Sequence, residues 1–284
     1  MIRTIGLAIA FSPTAERMLS EAAHISRQFH ARLVLIHVGD HTPKEDALLE
    51  SLLKSRGLSK DSVTVRWEKG EAARSILNAC DREKVDLLIA GALKKENLIQ
   101  YYLGTIARHI MRRAKCSVLL LIQPSLEPEG FKNIVVEADD REHVEESISL
   151  ASHFGKKDPG TWLHVVRELK LYGLAMTSSD QNSEEEYDKV RQSLIKDEIV
   201  KVEKLIQKIP HENFKVNIKV ISGKSGFELA QFAKRKQADL LVVGAPPRRF
   251  WFLDRIFTHD HEYIFADLPS SLLIVHSRKE DRNV

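Results

Sequence analysis

The sequence predicts an α/β protein made of two tandem domains, each a parallel sheet flanked by helices. Three observations carry this. Gly70–Ile122 and Gly223–Val275 align without a gap at a constant offset of 153 residues. The matches include Gly70/Gly223, Arg82/Arg235, Asp86/Asp239, Leu87/Leu240, Gly91/Gly244, Thr105/Thr258, Ser117/Ser270 and Leu120/Leu273. Self-similarity at so long a period means two copies of one domain rather than one large fold. Short apolar runs alternate with segments of helical period, the pattern of βα units. The runs are also uniformly apolar rather than alternating, as strands covered on both faces require.

In order, Ile5–Ala10 reads as the first strand, and Ser12-Pro13 as the cap and first position of a helix. Leu33–Val38 is a second strand and Ala47–Leu53 a helix. Val63–Trp67 is a strand, Ala72–Cys80 a helix, Leu87–Ala90 a strand, Ile106–Met111 a helix and Val118–Ile122 a strand. Gln123–Gly130 carries two prolines and reads as a linker. The expected domains are residues 1–124 and 131–278. The second begins with a strand at Ile134–Glu137, then a helix capped by Asp139 or Asp140 that runs to about His153. Trp162–Val166 is a strand, and an amphipathic helix spans about Glu184 to Ile209. Val216–Ile221, Phe227–Phe232, Leu240–Val243, Glu262–Ala266 and Leu272–Val275 follow. The first strands match at an offset near 128, so the second copy carries about 25 extra residues around 167–209.

At 284 residues, each half is long enough to bury its own core. The 43 basic and 40 acidic residues are interspersed, with net charge +3, which argues against a nucleic-acid surface. No run of about 18 apolar residues is present, so no membrane span is expected. The apolar N-terminus reads as a first strand rather than a signal peptide, because Ile2–Ala10 has a counterpart at Ile134–Ala138. Cys80 and Cys116 lie in apolar segments and read as packed thiols of a cytosolic protein. Thr258-His259-Asp260-His261-Glu262 reads as a helix cap and first turn, since ligand pairs on a helix sit four apart. No metal site or catalytic group is expected.

Gly91, two residues, Lys94, nine residues, Gly104-Thr105 and then Cys116-Ser117-Val118-Leu119-Leu120 resemble the universal stress protein family. Its mark is Gly, two residues, Gly, nine residues, and Gly-Ser or Gly-Thr, ahead of a Cys-Pro-Val strand. The tandem length resembles its two-domain members. The resemblance implies Rossmann-like sheets of five parallel strands, order 3-2-1-4-5, that pair through their last strands. Some members bind ATP: an Asp ending the first strand helps hold the adenosine, and the glycine loop with its Ser/Thr holds the phosphates. Such a site lies at the carboxyl edge, where strand order reverses.

Carried over residue by residue, the candidate set in the first copy is Ala10, Val38, Gly91, Lys94, Gly104 and Thr105. Lys94 replaces the second glycine, Ala10 the Asp, and Phe11 a small residue beyond it. In the second copy Gly244 and Thr258 remain, Pro247 and Phe257 replace glycines, and Ala138 takes the Asp position with Asp139 one residue on. The expectation is a non-catalytic stress-adaptation protein that binds a protein partner or small ligand. The rival is an ATP- or AMP-binding member that uses the first copy. The last strands, Ser117–Ile122 and Ser271–His276, are expected to pair within the chain as a pseudo-dimer, with a homodimer as a further form.

Overall fold

Four apolar runs of the first repeat and one alternating edge strand, Thr64–Glu68, lie side by side as parallel strands in the computed structural model of the chain. Residues 2–94, 101–102, 104–140, 143–156, 158–169, 184–209, 214–223, 226–245 and 259–276 are described. Two compact units divide the chain. The first comprises Met1–Glu129 with Ser271–His276, and the second Gly130–Ser270 with the remaining C-terminal residues.

The first unit runs β1 (Thr4–Ala8), α1 (Ala15–Phe29), β2 (Arg32–Val38), α2 (Pro43–Ser55), β3 (Thr64–Glu68), α3 (Ala72–Glu83) and β4 (Leu87–Gly91). A two-residue ladder follows, β5 (Leu93–Lys94) with β6 (Tyr101–Tyr102), then α4 (Thr105–Arg113) and β7 (Ser117–Leu121). The parallel order is β3-β2-β1-β4-β7, the expected 3-2-1-4-5. Leu7, Leu35, Ile36, Leu87, Ile89 and Leu119 are fully or almost fully buried in it. Helix α2 starts at a capping box, Thr42 with Glu45, and has Pro43 in its first turn. Helix α1 begins two residues later than Pro13, because Ser12 and Pro13 belong to a turn closed by Ala15 N–H on the Ser12 carbonyl at 3.0 Å.

The second unit runs β8 (Asn133–Glu137), α5 (Val144–Phe154), β9 (Trp162–Leu169), α6 (Glu184–Ile206), β10 (Lys215–Ser222), α7 (Phe227–Arg235), β11 (Leu240–Gly244) and α8 (His259–Ala266). Its parallel order β10-β9-β8-β11 repeats 3-2-1-4. The last strand, β12 (Ser271–Val275), belongs to the first unit, where it pairs antiparallel with β7: Leu272 with Leu120, Leu273 with Leu119, Ile274 with Val118. The two last strands therefore do pair. Ile122 N–H donates to Ser271 Oγ at 3.4 Å and His276 N–H to Ser117 Oγ at 3.2 Å across that ladder.

The duplicated aspartates are structural. Asp86 Oδ2 accepts the amides of Arg3 at 2.6 Å and Thr4 at 2.9 Å, while Asp86 N–H donates to the Thr4 carbonyl. Asp239 repeats this, accepting Lys132 N–H at 2.8 Å and Asn133 N–H at 3.0 Å and donating to the Asn133 carbonyl. In each unit this residue ties the amino end of the first strand to the fourth. Burial pushes the Asp239 carboxyl above its ordinary range despite those amides. The shared glycines Gly70 and Gly223 have φ of +109° and +144°, a region that side chains with a Cβ avoid.

Cys80 and Cys116 are both free and buried. The hydrogen bond with Cys116, and then burial, hold the Cys80 thiol protonated.

Candidate functional site

Because the strands are parallel, their carboxyl ends share one edge, and the crevice lies where β1 meets β4 and where β8 meets β11. Strand register fixes which residues of the two crevices correspond. Ile5 pairs with Leu87 and Leu7 with Ile89; Ile134 pairs with Leu240 and Val136 with Val242. Leu87 and Leu240 are repeat partners, so Ile5 corresponds to Ile134, an offset of 129. The backbone agrees: Ile9 N–H donates to the Ile36 carbonyl, and Ala138 N–H to Val166. Ala10 therefore matches Asp139, not Ala138. The second copy has an aspartate where the first has an alanine.

The same register aligns β2 with β9 at an offset of 130, through Ile5–Leu33 and Ile134–Leu163. His37 then corresponds to Arg167. Both are buried, and both bond the carbonyl just past the first strand. His37 Nδ1 lies 3.0 Å from the Ile9 carbonyl oxygen, which only accepts, so Nδ1 carries the proton. Arg167 Nη1 donates to the Ala138 carbonyl at 2.9 Å.

Their surroundings differ. His37 belongs to an aromatic group: Phe11 lies 4.7 Å away between ring centres, Trp67 5.0 Å away edge-on, and His41 stacks on Trp67 at 4.4 Å. Arg167 is held by acids. Its Nε donates to Glu198 Oε2 of α6 at 2.6 Å, and its Nη2 pairs with Asp140. Lys201 also donates to Glu198, at 2.5 Å. Burial alone would raise the Glu198 carboxyl and lower the Arg167 guanidinium. The ion pairs outweigh it, so Glu198 sits below and Arg167 above the ordinary value.

The pairing of Asp140 with Arg167 explains why neither aspartate caps α5. The cap position falls to His143, which is buried. Its Nε2 lies 3.7 Å from Asp139 Oδ2, and a Cβ built on Gly244 would fall inside its imidazole. Asp140 thus makes a tertiary contact and Asp139 faces His143 four residues on, rather than either capping the helix.

In the first unit, Ala10 and Gly91 are exposed and Val38 is half-buried. Alternation along β2 sets Val38 on the opposite face from His37. Gly91 pairs with Leu121 at the end of β4, and a Cβ on it would rest 3.7 Å from Met18 Sδ. Lys94 pairs through its backbone with Tyr101, which brings the start and end of the glycine loop together. Gly104 caps α4 in an extended conformation, and Thr105 opens that helix with no side-chain cap and no acid in its first turn. The structure thus gathers Gly91 and Lys94 onto one connection leading to Gly104 and Thr105. Pro246, Pro247, Arg248, Arg249, Phe250, Trp251, Phe252, Phe257 and Thr258 lie outside the described residues, as do the side chains of His259 and His261. Among the described residues no cluster of metal-ligating side chains occurs, and no helix is long and apolar enough to cross a membrane.

The family model described as "Universal stress protein family" matches residues 1–121 and 130–276. The chain belongs to the universal stress protein family. Two curated members are 26% identical to it: one from Methanocaldococcus jannaschii over 126 residues, 37% of this chain and 74% of that protein, and one from Thermus aquaticus over 136 residues, 43% and 99%. Among solved structures, a universal stress protein from Archaeoglobus fulgidus superposes with TM-score 0.64 at 14% identity, covering 96% of this chain and 97% of that one. A Pseudomonas aeruginosa protein of unknown function gives 0.66 at 16% identity, with 96% and 92% coverage. At such identities the superpositions establish the fold.

The equivalences His37/Arg167 and Ala10/Asp139 escaped the sequence reading. The signal that finds them is the strand register, which moves the first-strand offset by one residue.

Proposed function

We propose that this universal stress protein is a non-catalytic regulatory protein of stress adaptation, which acts by binding a partner or small ligand without turning it over. The observation that carries this reading is the equivalence of His37 and Arg167. At both carboxyl edges, a buried cationic or imidazole side chain is spent on the chain's own backbone and, in the second unit, on Glu198 and Asp140. Groups committed to internal hydrogen bonds hold a scaffold in place and are withdrawn from chemistry on a ligand.

A second reading, an ATP- or AMP-binding protein with at most slow hydrolysis, is favoured by one feature of the first unit. The amide groups opening α4 have no side-chain cap and no acid in the helix's first turn, and such a helix start attracts phosphate. Calorimetric titration with ATP and AMP separates the two readings. The first predicts no micromolar site. The second predicts one micromolar site per chain, lost in Thr105→Glu, which places a carboxylate at the phosphate position while favouring the helix dipole. Assays for phosphate and pyrophosphate release in the same samples test turnover, and release dependent on Thr105 would overturn the first reading.

A further inference from the structure

The two crevices have complementary defects. Ala10 and Thr14 in the first unit are exposed, and the acid is gone. In the second unit, the equivalents are Asp139 and His143, and the crevice contains an imidazole. His143 is 6% exposed, stands 3.7 Å from Asp139 and covers the Cα of Gly244 at the end of β11. Gly244 is the repeat partner of Gly91, whose Cβ position meets nothing nearer than Met18 at 3.7 Å.

We infer that His143 is an internal ligand of the second crevice: its imidazole stands in for a nitrogen heterocycle between Asp139 and Gly244, and its removal opens a site for such a ring. Three features support this. The side chain lies at the switch point of the sheet, between the ends of β8 and β11, where α/β sheets receive ligands. It is an aromatic nitrogen heterocycle facing the retained carboxylate. It also needs a glycine beneath it, since any Cβ at 244 would collide with the ring. The inference rests on the reading of Asp139 as the equivalent of the family's first-strand acid. It does not depend on whether the first unit binds nucleotide.

The test is rescue by the missing ring. His143→Ala, in the full chain, is melted with and without imidazole, and separately with adenosine. With imidazole at ten times its dissociation constant, the midpoint of the variant should rise by roughly 3–6 °C. Wild type and the Asp139→Asn/His143→Ala double variant should show no such rise. An unchanged midpoint in the single variant, or equal shifts in all three proteins, would overturn the inference. Adenosine shifting the single variant as imidazole does extends the ligand class to purines, whereas a shift by adenosine alone overturns the role of the imidazole. A measurement on the unaltered chain guards against a variant that fails to fold. Diethyl pyrocarbonate should modify exposed His41 and His153 at least tenfold faster than His143, and equal rates would contradict an occupied crevice. A first-unit nucleotide site is scored separately, by the calorimetric titration of wild type and Thr105→Glu.

Discussion

Arg167 takes in the second unit the place that His37 holds in the first, and each donates to the carbonyl of the residue following the first strand. An imidazole among aromatics in the first unit corresponds to a guanidinium in the second, where Glu198 and Asp140 accompany it. Burying Arg167 against Glu198 stabilises little on balance, but removing the guanidinium leaves buried Glu198 with Lys201 alone. Arg167→Ala is expected to destabilise the second unit by less than the roughly 3–5 kcal/mol of a wholly unpaired buried charge, because Lys201 still holds Glu198. Arg167→Ala/Glu198→Ala should cost less than the two single changes together, a coupling that urea unfolding of the four proteins measures.

Burial, and secondarily Lys236, lower His164 to about 4. It sits between Trp162 and Phe232, with Asn217 Nδ2 2.9 Å from its Nδ1. The unfolded chain takes up this proton near the ordinary value of about 6.5 and the folded chain only near 4, so stability falls as pH drops through that window. The loss is on the order of 1–3 kcal/mol. In His164→Val, which installs the residue type of its counterpart Val34, the urea midpoint should vary much less between pH 6.5 and 4. An unchanged slope would place the acid sensitivity elsewhere.

Asp86→Ala and Asp239→Ala each remove a carboxylate that accepts two backbone amides. Charged hydrogen bonds of this kind contribute about 1.5–3 kcal/mol each, and the amides left behind are partly solvated. A loss of about 2–4 kcal/mol is expected in each unit, with the Asn variants milder because they keep one acceptor oxygen. Thermal melts of the four variants check both the size and the symmetry of the effect.

Leu273, fully buried on β12, pairs with Leu119 of β7. Leu273→Asp should therefore weaken the first unit although the residue lies at the far end of the chain. Hydrogen exchange is the readout: the amides of Val118 and Leu120 should lose protection. Protection unchanged at β7 would contradict the assignment of β12 to that unit.

Much of this fold is legible in the residues themselves. Uniform apolar runs specify buried parallel strands, and the repeat locates Asp86/Asp239 and Gly70/Gly223 before any coordinate is known, though not what the aspartates hold. Three parts were not legible. Asp139 and Asp140 are better helix caps than His143 by local chemistry, but Arg167, distant in sequence, claims Asp140. Glu198, the buried partner of Arg167, lies on α6, which takes the place of α2 but is longer, and the extra residues there break the constant offset by which the copies are compared. A one-residue change of offset at the first strand hides the match of Ala10 with Asp139, and only the ladder between β1 and β4, set beside that between β8 and β11, reveals it.

The central claim is that each crevice lacks a different part of one ligand site: the acid in the first unit, the space in the second. Calorimetric titration of Ala10→Asp beside wild type, with AMP, tests it most directly. The account predicts that restoring the acid to the exposed crevice tightens AMP at least tenfold over wild type, with one site per chain. Micromolar binding by wild type at two sites per chain, or no gain in Ala10→Asp, would contradict it.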